Sequence, residues 1–161
     1  MKIIGTGSSL PQKVVTNDDL AAIMDTSDEW ISSRTGIRKR HIATTETTTS
    51  LAVEAVKAAL SDAGTDGSEI DLIIAASVTG DKIVPSLACQ IQAEIGADSA
   101  VAFDINAACS GFLFALATAD AYFKTGRFHK AVILGAEVLS KIMDWNDRST
   151  CVLFGDGAGA A

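Results

Sequence analysis

Hydrophobic positions change their period several times along the chain, and each change marks an element. Ala52, Val53, Val56, Ala59, Leu60 and Ala63 recur at helical spacing, so residues 50–63 predict an amphipathic helix with Gly64 just past its end. Leu72–Ser77 is a continuous apolar run of strand length, the pattern of a strand buried on both faces, and Ala100–Ile105 and Ala131–Gly135 predict further strands. Pro85–Ile95 predicts a helix closed by Gly96, and a longer helix runs from Cys109 to about Thr125, closed by Gly126. This last helix is apolar nearly all round over Phe112–Ala117, which predicts cover on every side. Strands alternating with helices give an α/β fold with a mainly parallel sheet.

The two ends are less regular. Lys2–Gly7 predicts an opening strand, followed by a turn at Ser8–Pro11 and a helix from Thr16 or Asn17 to about Met24. Thr26 and Glu29 have capping-box spacing for a short helix that ends at Gly36. Towards the other end, Val138–Met143 predicts a helical turn, Asp144–Ser149 a polar loop bearing Arg148, and Cys151–Phe154 a further strand. Gly155–Gly159 reads as a tight hairpin turn. Only Ala160 and Ala161 follow it, so the expectation is that the second strand of that hairpin is supplied from outside this sequence.

Composition narrows the classes. At 161 residues the chain fits one domain, yet 48% of it is hydrophobic and its mean hydropathy is +0.28. No apolar run approaches the ~18 residues of a membrane span, so the excess is expected to be buried in protein, with no membrane partner. A net charge of −7 argues against nucleic acid as a general partner. Cys89, Cys109 and Cys151 are odd in number, widely spaced and without a CxxC pair, so neither a disulfide framework nor a metal site is expected, and a reducing cytoplasm fits. Lys2 opens a strand-like run with no apolar signal region behind it. Gly5-Thr6-Gly7 lacks the third glycine of a dinucleotide fingerprint, and no Gly-Lys-Ser/Thr follows Gly155–Gly159.

Candidate chemistry centres on Asp104-Ile105-Asn106-Ala107-Ala108-Cys109-Ser110-Gly111-Phe112, where a strand enters a small-residue turn and then a helix. A thiol in a helix's first turn faces unpaired N–H groups and the positive end of the dipole, which favour the nucleophilic thiolate. On its own the turn fits an inert packed cysteine better than a reactive one, since most free cysteines are buried packing. Trp30 and Arg34 are four apart and share a helix face, with Arg38, Lys39, Arg40 and His41 close behind. They are either a ledge for a phosphorylated aromatic ligand or a core tryptophan beside a solvated charge run.

Taken together, the motifs resemble the β-ketoacyl-acyl-carrier-protein synthase III family of thiolase-superfamily condensing enzymes. The resemblance is carried along the whole chain by Lys2–Gly7, Asp25–Ile31, Arg34–Arg38, Pro85–Gln90, Ala107–Phe112, Asp147-Arg148 and Phe154–Ala160. It implies one half of a thiolase-like fold, with residues 1–161 as the N-terminal half domain and the C-terminal half absent from this chain. It also implies that Cys109 takes an acyl primer from acyl-CoA and condenses it with malonyl-acyl-carrier protein, starting fatty-acid synthesis in a cytoplasmic homodimer. CoA enters as a thioester substrate and no cofactor is implied. Trp30 and Arg148 match the pair that sandwiches the CoA adenine, while Thr26 and Arg34 match residues around its nucleotide and phosphates. Arg38–Arg40 match a region that attracts the acidic carrier protein, and Val84 lies where the dimer partner shapes the acyl pocket. The family's carbanion-stabilising His and Asn belong to the other half. Of the local histidines, His129 follows a helix of about 16 residues at ~1.5 Å each, so it is expected roughly 25 Å from the sulfur. Nothing in the sequence brings His41 to Cys109. A non-catalytic CoA-binding or dimerisation fragment is the alternative, and an unrelated thiol hydrolase or redox protein a third reading.

Overall fold

Leu72–Ala76 shows how the chain builds its two layers. Leu72 and Ile74 pack with Ala115, Ala119 and Ile133 on one side, while Ile73 and Ala75 join the larger core on the other, so the run is apolar because both faces are buried. The computed structural model describes residues 1–161, in the order β1 (Gly7–Ser9), β2 (Val14–Thr16), α1 (Asn17–Ala21), α2 (Asp28–Thr35), β3 (Lys39–His41), α3 (Thr48–Ala63), β4 (Leu72–Ala76), α4 (Leu87–Ile95), β5 (Val101–Ile105), α5 (Gly111–Lys124), β6 (Ala131–Val138), α6 (Arg148–Cys151) and β7 (Asp156–Ala160). Five strands form one sheet in the order β1-β7-β6-β4-β5, and β2 pairs with β3 separately. β4 runs parallel to both β5 and β6, whereas β7 is antiparallel to β6 and to β1. The larger core joins α3 and α4 to the sheet, and α5 lies against the opposite face. A third cluster of Leu20, Ile31, Cys151 and Val152 ties α1, α2 and the end of α6 into a small lobe.

Helix ends follow the sequence signals closely. Gly36, Gly64 and Gly96 adopt left-handed conformations as C-caps of α2, α3 and α4. Thr16 with Asp19, and Thr47 with Ser50, form reciprocal caps at the starts of α1 and α3. The cap of α2 is corrected: Ser27, not Thr26, accepts from the Trp30 N–H, and α2 begins at Asp28. α1 ends at Ala21, short of Met24.

Four expectations fail for physical reasons. Gly155–Gly159 is not a hairpin turn: Asp156–Ala160 is a strand between β6 and β1, its small residues letting neighbours approach closely. A Cβ on Gly157 would meet Leu10 Cδ2 at 2.8 Å. Cys151–Phe154 is no strand, because Cys151 closes α6 and a turn follows. The first strand is displaced from Lys2–Gly7 to Gly7–Ser9, the residues that β7 pairs, so Ser8 and Ser9 belong to the ladder rather than to a turn. Finally, α5 is covered on one side only. Gly111, Ala115 and Ala119 are buried, but Leu113 and Phe114 are 66% and 56% exposed.

Asp81 fixes the loop between β4 and α4. Its carboxylate accepts from the Thr49 N–H at 2.7 Å and the Thr48 N–H at 3.3 Å, at the start of α3, and from Lys141 Nζ at 2.7 Å. Burial raises its pKa, but Lys141 and the Thr49 and Thr47 donors outweigh this and hold it well below the usual carboxylate range. A depressed folded pKa contributes stability above the unfolded value of about 4, and that contribution is lost as pH falls below it. Asp81→Asn is therefore expected to cost about 2 kcal/mol at pH 7. The gap from the wild type should narrow progressively below about pH 4. Denaturant unfolding across that range checks this, and a gap independent of pH would refute it.

Candidate active site

Cys109 lies in a single 3-10 turn, Ala108–Ser110, that joins β5 to α5, so the helix expected to begin at Cys109 begins two residues later, at Gly111. Ala108 has φ +44°, a left-handed conformation that costs a non-glycine residue about 1–2 kcal/mol and sets the sharp bend before the thiol. The Ser110 N–H donates to Ala107 O at 3.1 Å, and the Gly111 N–H to Ala108 O. Ser110, at the N-cap of α5, makes no side-chain cap bond. Gly111 is required by contact: a Cβ there would sit 2.8 Å from Ala76 Cβ, so only glycine lets α5 start this close to β4.

The thiol is exposed and lines a cavity of about 330 Å3 with Phe112, Gly135, Glu137, Gly157 and Gly159. Its walls come from the carboxyl ends of the parallel strands β4 and β6, where open α/β sheets place ligands. Glu137 is the one carboxylate there, and its oxygens are engaged: it accepts from the Val78 N–H at 2.8 Å and from the Thr79 hydroxyl. Asp104, on β5 just before the cysteine turn, accepts from the Leu87 and Ala88 N–H groups at 2.8 and 2.7 Å, so the start of α4 is tied to the strand that delivers Cys109.

Trp30, Arg34 and Arg148 come together on a second surface. The Arg34 Cζ lies 4.5 Å from the Trp30 ring centroid and its Nη1 donates to Trp30 O at 3.2 Å. Arg148, at the start of α6, places its Cζ 5.1 Å from the same centroid. Its Nη1 donates to Asp25 O and lies 3.3 Å from Asp25 Oδ2. Trp30 also packs against Leu20, Ile31, Cys151 and Val152, so core packing and a cation-flanked aromatic face are both realised in one half-buried residue. Thr26 Oγ1 is buried beside this surface without a hydrogen-bond partner. Asp147 caps α6, accepting from the Ser149 hydroxyl and N–H and the Thr150 hydroxyl, and these donors hold it below the usual carboxylate range.

The basic cluster divides. Arg40 is buried, with Nη2 donating to Asn17 Oδ1 at 2.9 Å and to Val152 O at 3.3 Å, and burial pushes its pKa down. It is a structural tie and not part of a docking patch, which corrects that expectation. Arg38 stays exposed and pairs with Asp28 at 3.5 Å. Alternation along β3 is the signal that could have separated them, since Arg40 is the inward residue of Lys39-Arg40-His41. Asn17, Asp25 and Asp104 carry no sequence signal for the ties they make. The histidines stay away from Cys109: His41 Nδ1 is 2.6 Å from Pro11 O, and His129 lines a different cavity of about 350 Å3 beside the first residues of the chain. No three His, Cys, Asp or Glu side chains are grouped to hold a metal, and no helix is long and apolar enough to cross a membrane.

The five-stranded mixed sheet layered between helices and the uncapped helix behind a cysteine form one half of a thiolase-like fold, and comparison with known proteins agrees. The family model for 3-oxoacyl-[acyl-carrier-protein] synthase III matches residues 103–161. β-Ketoacyl-[acyl-carrier-protein] synthase III of Clostridium acetobutylicum is 56% identical over 160 residues, 99% of this chain and 49% of that protein. Its counterpart from Streptococcus pneumoniae is 58% identical over 158 residues, 98% of this chain and again 49% of the relative. The crystal structure of 3-oxoacyl-[acyl-carrier-protein] synthase III from Aquifex aeolicus superposes with a TM-score of 0.97 at 56% identity, covering 99% of this chain and 52% of that one. The priming β-ketosynthase of the R1128 polyketide pathway gives 0.96 at 40% identity, covering 99% and 48%. Along nearly its whole length the chain is similar to 3-oxoacyl-[acyl-carrier-protein] synthase III proteins, and it spans about half the length of the curated relatives it matches.

Proposed function

We propose that residues 1–161 are the N-terminal half domain of a β-ketoacyl-acyl-carrier-protein synthase III, and that Cys109 accepts the acyl primer from acyl-CoA. The observation that carries this reading is the exposed Cys109 thiol on its turn before α5, opening into a cavity walled by glycine and alanine where a thioester carbonyl can approach. The Cys109 thiolate attacks the thioester carbonyl carbon, the tetrahedral adduct collapses, and the CoA thiolate leaves with the acyl group bonded to Sγ. Trp30 and Arg148 take the adenine, and Thr26 and Arg34 its nucleotide and phosphates. Malonyl-acyl-carrier protein then loses CO2, and the carbanion attacks the acyl-cysteine to give the 3-oxoacyl product. That second step uses a His and an Asn from the companion half.

Homodimerisation is part of the same reading. β5 is one of the two edge strands of the sheet, and Ile83 and Val84 are 96% and 82% exposed, which supports a second subunit covering both. Three free thiols support a reducing cytoplasmic setting, and the charge of −7 gives no support to nucleic acid as a partner. Incubation with acetyl-CoA and longer or branched acyl-CoA, followed by intact mass and peptide mapping, tests the proposal. One acyl adduct at Cys109 is expected. CoA binding without any adduct would leave the non-catalytic fragment as the better reading. The modest aliphatic side chain of Val84 leaves room for longer or branched primers in this reading, and primer transfer from acetyl-CoA alone would refute that role.

A further inference from the structure

The Trp30 surface is closed, in this structure, by the same arginine that is proposed to hold the base. A flat ring held between the indole and the Arg148 guanidinium needs two stacking contacts of about 3.5 Å, or about 7 Å in all. The guanidinium carbon is 5.1 Å from the ring centroid. Arg148 must therefore retreat by about 2 Å before a base can enter. Arg34 shares α2 with Trp30 and is bonded to Trp30 O, so its place beside the indole is set within one helix. Arg148 belongs to a different, four-residue helix, so its distance from the ring is adjustable.

What holds Arg148 down is Asp25. One Arg148 nitrogen, Nη1, donates to Asp25 O and also lies 3.3 Å from Asp25 Oδ2. The Asp25 side chain is otherwise fully exposed, with Arg148 as its sole ion-pair partner. A 3.3 Å contact is already near the outer limit of a hydrogen bond, so a 2 Å withdrawal of the guanidinium away from Asp25 breaks it. We propose that the Asp25 carboxylate, added to the main-chain bond that any residue at this position would keep, is a latch that biases Arg148 towards Trp30 in the ligand-free molecule, and that releasing it eases entry of the adenine. The inference rests on the reading of Trp30 and Arg148 as the adenine-binding pair. Asp25 is thus a positioning residue that acts through Arg148 and opposes binding.

An exposed ion pair of this kind shifts an equilibrium by at most about fivefold. Stopped-flow tryptophan fluorescence and titration calorimetry of the full chain with CoA, and separately with uncharged adenosine, provide the test on the wild type, Asp25→Asn and Asp25→Ala. The latch predicts binding about threefold tighter in both variants and for both ligands, with the gain in the association rate and the dissociation rate unchanged. A gain with CoA but none with adenosine would overturn it in favour of simple repulsion between Asp25 and the CoA phosphates. Unchanged or weaker binding of CoA in the variants overturns it too, while leaving the adenine site in place. If neither ligand binds the wild type or the variants, the adenine site itself fails, and the latch with it. Thermal melts of the variants within a degree or two of the wild type show that folding is not what is being read.

Discussion

Replacing Cys109 with alanine is expected to abolish acyl adduct formation from acyl-CoA, and Cys109→Ser to slow it by about 10^3-fold or more, because a serine hydroxyl without an adjacent base is a weak nucleophile at neutral pH. The fold should tolerate either change. Cys109 is exposed, and substitutions at exposed positions usually stay within about 0.5 kcal/mol. Intact mass after incubation, read beside a thermal melt, separates loss of chemistry from loss of structure. The other thiols are poor substitutes. Cys151 is fully buried, and burial, then the Asp147 charge, pushes its thiol further from ionising. Cys89 is half-buried on α4, its sulfur 3.9 Å from Ala102 O. An adduct that persists in Cys109→Ala would overturn the assignment.

The second large effect concerns Gly7, on the opposite side of the sheet. A Cβ there would lie 2.2 Å from Ala55 O and 2.4 Å from Ala59 N, both backbone atoms of α3. Backbone of a helix cannot step aside as a flexible side chain can, so β1 and α3 would have to separate and open the core between them. Gly7→Ala is expected to destabilise the chain by about 3 kcal/mol, at the upper end for overpacking, and to lower Tm by roughly 10 °C. Gly64→Ala, where a Cβ has open space but the backbone is left-handed at φ +60°, should cost only about 1 kcal/mol. Equal losses at the two positions in calorimetry would show that close approach to α3 does not govern the cost at Gly7.

Much of this architecture is legible from residue order because the elements agree with themselves. Leu72–Ala76 is apolar at every position and is buried at every position, and the glycines after α2, α3 and α4 stand where the helices stop. The misreadings share a cause. Gly and Ala are weak strand formers in isolation, so Asp156–Ala160 looks like a turn; only neighbours packed against it explain why larger residues are excluded. Phe112–Ala117 predicts a helix covered on all sides, yet cover is a property of the assembly, and the exposed Leu113 and Phe114 are invisible to periodicity. The cysteine turn was readable as small residues between a strand and a helix. The pairing of Trp30 with Arg148 was not readable from spacing, because the two lie far apart in sequence and meet only through the packing of the small lobe.

Asp104 gives the sheet a means of rejecting misaligned pairings. In the observed register Ala75 faces Asp104 across the parallel ladder, and the Asp104 carboxylate meets the first N–H groups of α4. A slip of β5 by one residue would turn that carboxylate to the other face, offer Phe103 or Ile105 in its place, and leave the start of α4 without its acceptor. The same slip would carry Cys109 about 3.3 Å along the strand direction, away from the cavity it lines. Misalignment of β5 is thus penalised at the strand itself and at the helix it caps, so the position of the thiol is checked twice as the chain folds.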